Sequence, residues 1–288
     1  MDIQISGLRR TFGKVTALDG LDLTVPGGMY GLLGTNGAGK TTLMRVLAGV
    51  LPPTAGTVRV GGHDLTTRTG RLAVQRRLGY LPQDLGLYPD LSAQEFLDYV
   101  GLLKGLDDTA ARRRQIGELL DMVGLADAAT RKLRGFSGGM RRRVGIAQAL
   151  LGDPALVVVD EPTAGLDPEE RIRFRMLLAS IAAGRTVLLS THIVEDVAQT
   201  CRDTAVMARG RVVFNGPVAD IVQRAEGVTW ELVGQGPPAT GVVVSAVSRS
   251  DGTHYRLVSS SRPDPRAVPV QPLLEEGYVA LMHAGTNG

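Results

Sequence analysis

A nine-residue loop motif places the strongest constraint on how this chain can fold. The segment Gly34-Thr35-Asn36-Gly37-Ala38-Gly39-Lys40-Thr41-Thr42 fits the pattern G-x-x-x-x-G-K-[ST] in full. An apolar run at residues 29–33 before it fits a buried strand, and residues 41–47 after it have apolar side chains at helical spacing. Glycines let the backbone N–H groups turn inward, and the following helix directs the positive end of its dipole to the same place. The motif therefore predicts a nucleoside triphosphate site, in which Lys40 contacts the β- and γ-phosphates and Thr41 binds Mg²⁺.

A second motif predicts where the acidic groups of such a site lie. Residues 156–159 are apolar and rich in valine, and Asp160, Glu161 and Pro162 follow them directly, which is the form of a central parallel strand. Carboxylates at the C-terminal end of such a strand lie at the sheet edge where ligands bind. We therefore expect Asp160 to hold Mg²⁺ and Glu161 to act as the general base that polarises the attacking water. The alternative is a solvated acidic turn.

A third motif lies between these two. Ser137-Gly138-Gly139-Met140 opens a segment with helical spacing, in which Ser137 can cap the helix and the two glycine amides can face an anion. Together the three motifs resemble those of ABC-type ATPases, the nucleotide-binding subunits of ATP-binding cassette transporters. That resemblance implies that Ser137, Gly138, Gly139 and Met140 contact the ATP of a partner subunit. Met140 stands where the family usually has glutamine, and a simple capped helix is the alternative.

The same resemblance implies roles for four further residues. Phe12 is similar to the aromatic residue that stacks on adenine, and Gln83 to the glutamine that contacts Mg²⁺ and the attacking water. Asp167 is similar to the acidic residue of the loop at the dimer interface, and it can also cap a helix that starts at Pro168. His192 follows an apolar strand and resembles the switch histidine, which hydrogen-bonds the γ-phosphate and Glu161. A core phenylalanine, a polar loop residue, a simple cap and a structural histidine are the respective alternatives.

The order of the motifs predicts an α/β fold built on a P-loop NTPase core with a parallel sheet. Residues 3–33 alternate as short strands that Gly13, Gly20 and residues 26–28 interrupt, which suggests an antiparallel β flap beside the nucleotide. Helical periodicity after Gln83 suggests a helical lobe at about 84–150 that presents Ser137. We assign an ATPase domain to residues 1–226 and a small α+β accessory domain to residues 227–288, where glycine, proline and short strand patterns dominate.

Composition limits the possible classes of protein. The chain has 288 residues and a net charge of +3, and its arginine runs at 112–114 and 141–143 favour solvated helix faces, so no nucleic acid is expected. The single Cys201 cannot form an intrachain disulfide. No run of 18 apolar residues and no signal-like N-terminus occurs. We therefore expect a cytoplasmic protein, and the resemblance implies that it is peripheral on the cytosolic face of the cell membrane.

The resemblance implies an ATP-hydrolysing subunit that powers an ABC exporter. Its tail, residues 269–279, is similar to that of single-cassette subunits of ABC-2-type exporters. The implied partners are a second copy or a paralogous ATPase subunit, paired head to tail, and separate transmembrane permease chains. The alternative is a permease-independent ABC-like ATPase with a mechanical or regulatory role. Such proteins usually have a coiled-coil insertion or two cassettes, and the sequence has neither.

Overall fold

The computed structural model describes residues 1–284. Contacts divide the chain into two compact units. The first comprises Met1–His192 and Gln199–Asn215, and the second comprises Ile193–Ala198 and the residues from Gly216 onward.

A six-stranded sheet forms the core of the first unit. Its strands are, in chain order, β3 (Met29–Gly34), β6 (Leu78–Leu81), β7 (Leu156–Asp160), β8 (Thr186–Thr191), β9 (Asp203–Ala208) and β10 (Arg211–Pro217). They are arranged β10-β9-β3-β8-β7-β6, and β9, β3, β8, β7 and β6 pair in parallel. Every residue of β7 and β8 is buried, as expected of strands that have other elements on both faces. The predicted parallel core is confirmed, and the C-terminal ends of β3, β7 and β8 lie side by side.

An antiparallel sheet adjoins this core. It consists of β1 (Ile3–Phe12), β2 (Val15–Val25), β4 (Ala55–Val60) and β5 (His63–Asp64), in the order β2-β1-β4-β5. The prediction that Gly20 interrupts a strand is wrong, because β2 continues through it. Gly20 has a φ of +67°, and the register with β1 shifts between Leu8 and Arg10, so the glycine accommodates a bulge.

Seven helices lie within residues 40–200, and most of the last one belongs to the second unit. They are α1 (Lys40–Leu47), α2 (Arg68–Gln75), α3 (Ala93–Leu103), α4 (Thr109–Met122), α5 (Gly138–Leu150), α6 (Pro168–Ile181) and α7 (Val194–Thr200). Ser92 caps α3 in a reciprocal arrangement with Glu95, and Asp108 caps α4. Short 3₁₀ turns at Ala126–Ala128 and Leu133–Gly135 lead into α5.

The second unit is a small α+β structure. It contains α8 (Val218–Gln223), β11 (Thr229–Gly234), β12 (Val242–Arg249), β13 (Gly252–Val258), β14 (Val268–Pro269) and α9 (Leu274–Ala284). The four strands form an antiparallel sheet in the order β12-β13-β11-β14. Leu232, Tyr255, Leu257 and Ala267 form its small apolar core.

Candidate nucleotide site

The loop between β3 and α1 adopts a conformation that its glycines require. Gly37 and Gly39 have φ values of +81° and +103°. A Cβ on Gly39 would lie 2.6 Å from the carbonyl oxygen of Ala17, and one on Gly34 would lie 2.5 Å from that of Met207. Ala38, within the loop, is buried. No side chain caps the first turn of α1, so its amides remain available to an anion.

Lys40 is folded over this loop and buried. Its Nζ donates to the carbonyl oxygens of Gly34, at 2.7 Å, and Thr35, at 3.2 Å. The same ammonium lies 3.3 Å from Glu161 Oε1, and both side chains are about 5% exposed. A buried lysine paired in this way holds its charge at the centre of the loop.

Asp160 and Glu161 lie at the end of β7, as the sequence predicts, but their environments differ. Asp160 is fully buried, and neither carboxylate oxygen has a hydrogen-bond partner within 3.5 Å. Burial raises the pKa of Asp160, and the nearby hydroxyls of Ser190 and Thr41 partly oppose this. Glu161 has a φ of +48°, a strained value for a residue with a side chain, and its amide donates to the Ser190 carbonyl at 2.9 Å.

His192 completes a chain of contacts at the ends of β7 and β8. Its Nδ1 lies 2.6 Å from Glu161 Oε2, so Glu161 is held between an ammonium and an imidazole. A cleft of about 490 Å³ brings together most of the predicted site. Its walls are formed by Phe12, Ala17, Asn36, Gly37, Gly39, Lys40, Thr41, Thr42, Gln83, Glu161 and His192.

The residues of the third motif lie outside the walls of that cleft. Ser137 caps α5, its Oγ accepting a hydrogen bond from the Met140 amide at 3.1 Å. Gly139 packs against Glu170, since a Cβ built on it would lie 1.9 Å from that carboxylate. Gly139 and Glu170 also line a separate cavity of about 360 Å³. Asp167 caps α6, because its Oδ1 accepts a hydrogen bond from the Glu170 amide at 2.8 Å.

The arginine runs form solvated faces only in part: Arg113, Arg114 and Arg141 are exposed, as expected, whereas the other three are not. The guanidinium of Arg112 is buried and lies 2.7 Å from Asp98. In α5, Arg141 donates to the Phe136 carbonyl and Arg143 to the carbonyls of Val123 and Gly124. These side chains satisfy carbonyl groups at the ends of neighbouring segments, which a pattern of adjacent charges does not reveal.

Sequence reasoning missed two further arginines near the cleft. Arg142 Nη2 lies 3.4 Å from the Ala164 carbonyl, and its Nη1 is buried without a partner. Burial lowers the pKa of Arg142, whereas the carboxylates of Asp84, Glu161 and Asp160 oppose that shift. Arg10 packs over the ring of Phe12. Its position two residues before Phe12 on a strand is the signal that could have identified it.

The described residues, 1–284, contain no group of three or more His, Cys, Asp or Glu side chains that could hold a metal ion. They also contain no helix long and apolar enough to cross a membrane.

Comparison with known proteins identifies similar sequences and folds. Residues 18–164 match the family described as ABC transporter. The chain is 36% identical over 249 residues to Nod factor export ATP-binding protein I of Ralstonia nicotianae, covering 85% of this chain and 77% of that protein. It is 42% identical over 221 residues to the daunorubicin/doxorubicin resistance ATP-binding protein DrrA of Streptomyces peucetius, covering 76% and 66%. Among solved structures, an ATP-binding subunit of an ABC transporter matches with a TM-score of 0.69 and 29% identity, covering 78% of this chain and 93% of that one. A dimeric bacterial ABC transporter cassette matches with a TM-score of 0.69 and 25% identity, covering 75% and 98%.

Proposed function

Since this chain belongs to the ABC transporter family of ATP-binding subunits and is an ATPase, we propose that it drives a separate membrane permease by binding and hydrolysing ATP at the cleft around Lys40. The observation that supports this most strongly is the meeting of Lys40, Glu161 and His192 in one cleft with the phosphate loop. The cleft volume lies in the range of small-molecule sites.

In this proposal the phosphate loop binds the triphosphate through its backbone amides. The residues that contact ATP are Phe12, Gly34, Asn36, Gly37, Ala38, Gly39, Lys40, Thr41 and Thr42. Lys40 now donates to loop carbonyls and pairs with Glu161, so an incoming γ-phosphate offers its ammonium a stronger acceptor. Transfer of Lys40 from Glu161 to phosphate would leave that carboxylate free to accept a proton from water.

The residues at the end of β7 fit a magnesium ion. Asp160 has two buried oxygens without hydrogen-bond partners, a costly arrangement that a nearby cation would relieve. Thr41 and Gln83 add oxygen donors at the cleft wall, and Mg²⁺ commonly takes one or two protein carboxylates with phosphates and water. We assign Thr41, Gln83 and Asp160 to its binding; the ion would neutralise charge on the β- and γ-phosphates.

Glu161, His192 and Gln83 are the proposed catalytic residues. The backbone N–H of Glu161 donates a hydrogen bond to the Ser190 carbonyl, and the carboxylate of Glu161 lines the cleft. His192 fixes Oε2 at 2.6 Å, so Oε1 is the oxygen that would accept the proton of water once Lys40 has moved. Gln83 can orient that water through its amide.

We assign Ser137, Gly138, Gly139 and Met140 to the ATP of a second subunit, with Asp167 in the loop between the two. These residues do not line the cleft of their own chain, which supports a composite site. The second subunit is either another copy or a paralogue.

Export is the proposed direction of transport. The name of one similar protein refers to Nod factor export and the name of another to daunorubicin/doxorubicin resistance. Their alignments cover most of this chain. The permease would bind near Tyr88, whose ring is 51% exposed and contacts Tyr99 and Phe96. A permease-independent mechanical role is not favoured, because α3 and α4 are short and connected without a coiled-coil insertion.

Replacing Glu161 with glutamine tests the proposed chemistry. The amide keeps the shape of the side chain but cannot accept the proton, so turnover should fall by at least about 100-fold while Mg²⁺-ATP binding persists. Steady-state phosphate release and calorimetric titration measure the two quantities. Glu169→Gln, an exposed glutamate of α6 paired with Arg173, is the matched control and should keep wild-type turnover. Wild-type hydrolysis by Glu161→Gln would show that another residue is the base.

A further inference from the structure

Phe12 lies at the end of β1, where few neighbouring groups restrict the conformation of a surface aromatic ring. Its side chain is 43% exposed and lines the nucleotide cleft beside Ala17. The strand ends there in a tight turn with Gly13 at a φ of +57°. An exposed ring at such a turn samples several rotamers, and adenine can stack on it only after one of them is selected.

One side chain restricts this ring in the structure. The guanidinium carbon of Arg10 lies 4.6 Å from the ring centroid of Phe12, within the range of a cation–π contact. Arg10 and Phe12 are two residues apart on β1, so their side chains emerge on the same face of the sheet.

The guanidinium is itself anchored on its far side. Its Nη1 donates to the carbonyl oxygen of Pro52 at 2.9 Å, and its Nε is buried without a hydrogen-bond partner. The planar guanidinium of Arg10 can donate this hydrogen bond at its edge while its face packs on the ring of Phe12. A lysine ammonium cannot make both contacts in this geometry.

We infer that Arg10 is a positioning residue for the nucleotide base: its anchored guanidinium covers one face of Phe12 and holds the ring with its other face toward adenine. This inference rests on the proposed function, in which Phe12 stacks on adenine. Arg10 acts through Phe12 and touches neither phosphate nor reacting atoms. Its removal should therefore weaken base binding and leave phosphate binding intact.

Calorimetric titration with two probes, Mg²⁺-ATP and Mg²⁺-bound inorganic triphosphate, tests this. Arg10→Ala should weaken ATP binding about fivefold, the scale of one partly exposed cation–π contact, and leave triphosphate binding unchanged. In turnover, KM for ATP should rise while kcat stays within twofold. Arg10→Lys retains a cation near the ring and should bind ATP more tightly than Arg10→Ala. Arg59→Ala, the loss of an exposed arginine on β4 of the same sheet, is the matched control and should change neither titration.

A double-mutant cycle identifies the route of the effect. Phe12→Ala should weaken ATP binding about tenfold through lost stacking, and adding Arg10→Ala should then weaken it no further. Additive losses, an equal loss of triphosphate binding, or a lysine variant as weak as alanine would overturn the role of Arg10. Unchanged ATP binding by Phe12→Ala would instead show that the assignment of Phe12 to adenine is wrong.

Discussion

At the residue scale, Glu161 is held at both of its carboxylate oxygens. In the structure its two oxygens are held separately, one by Lys40 at 3.3 Å and the other by His192 at 2.6 Å. In the proposed mechanism, a γ-phosphate that draws Lys40 away would leave Oε1 of Glu161 without its cationic partner and open to a water molecule. The proposal therefore links substrate binding to the access of water to Glu161 through one lysine.

The two glycines that precede Lys40 should respond differently to the same substitution. Both have positive φ, yet a Cβ at Gly37 meets nothing within 4 Å, whereas one at Gly39 lies 2.6 Å from the Ala17 carbonyl. Gly37→Ala should lower the free energy of unfolding by about 1–2 kcal/mol through backbone strain alone. Gly39→Ala adds a clash with the backbone, and the loss should reach about 3–5 kcal/mol. Urea unfolding followed by circular dichroism measures both. Equal losses would contradict the role assigned to the Ala17 contact.

At the element scale, the sheet of the second unit contains a histidine between two acids. His254 Nδ1 lies 2.8 Å from Glu231, and its Nε2 lies 3.0 Å from Asp251. These hydrogen bonds raise the pKa of His254, although nearby Arg249 opposes the shift. A group whose pKa is raised by folding stabilises the fold fully below its unfolded pKa of about 6.5, and that contribution is lost as the pH rises through the folded value.

The stability of this unit should therefore decrease as the pH rises from 6 to a value above the raised pKa of His254. Trp230, on β11, is the single tryptophan of the chain, and its indole donates to the Ser259 carbonyl. Its fluorescence reports thermal unfolding of the sheet directly. The Tm followed by Trp230 should decrease from pH 6 to pH 8.5, and His254→Gln should remove most of this dependence. His63→Gln, on β5 of the first unit, is the control variant and should leave the dependence unchanged.

The aromatic cluster formed by Tyr88, in the loop before α3, and by Phe96 and Tyr99 of α3 is the surface that we assign to permease binding. The rings of Tyr88 and Tyr99 pack edge to face with their centroids 5.6 Å apart, and both residues remain partly exposed. Exposed aromatic residues are common anchors of protein interfaces. Tyr88→Ala should reduce recovery of the chain with membranes when an ABC-2-type permease is co-expressed, without weakening ATP binding. Leu72→Ala, a similarly exposed apolar residue on α2, is the control. Membrane recovery that does not depend on any permease would contradict the assignment.

At the scale of the whole molecule, sequence predicts the parts that depend on local motifs. The phosphate loop, the buried strand before Asp160 and the Ser137 cap each follow from spacing and residue type over fewer than fifteen positions. Contacts between distant segments were not predictable in this way. The pairing of Arg112 with Asp98 and the hydrogen bonds from Arg143 to the carbonyls of Val123 and Gly124 depend on side-chain directions that the folded backbone sets. The composition change at Gly227 marks the start of the strands of the second unit, whereas the longer segment of that unit begins at Gly216 and includes α8, which packs closely on α9 at Gly277.

The separation of the two anion-binding motifs within one chain leads to a prediction about the dimer. The cleft around Lys40 does not include Ser137, so a site that uses both must combine Lys40 of one subunit with Ser137 of the other. In a two-fold dimer, two such sites form together, because each contact occurs twice. Lys40→Ala and Ser137→Arg proteins should both be inactive as homodimers, since every composite site contains one defect.

Mixing these two inactive proteins should restore ATP hydrolysis. In a mixed dimer one composite site contains both substitutions and the other contains none, so the intact site can turn over ATP. At equal concentrations about half of the dimers are mixed by random pairing, and they have one intact site each, so activity should approach about a quarter of the wild-type rate if the sites act independently.

The control is the double variant Lys40→Ala/Ser137→Arg mixed with Lys40→Ala, which supplies the same substitutions but forms no intact site. ATP-dependent dimerisation without turnover would indicate that the two sites must act together. The prediction would be contradicted if mixed dimers formed but showed neither ATP hydrolysis nor ATP-dependent dimerisation, and if the rate of wild-type hydrolysis did not depend on protein concentration. Both motifs would then act within one chain.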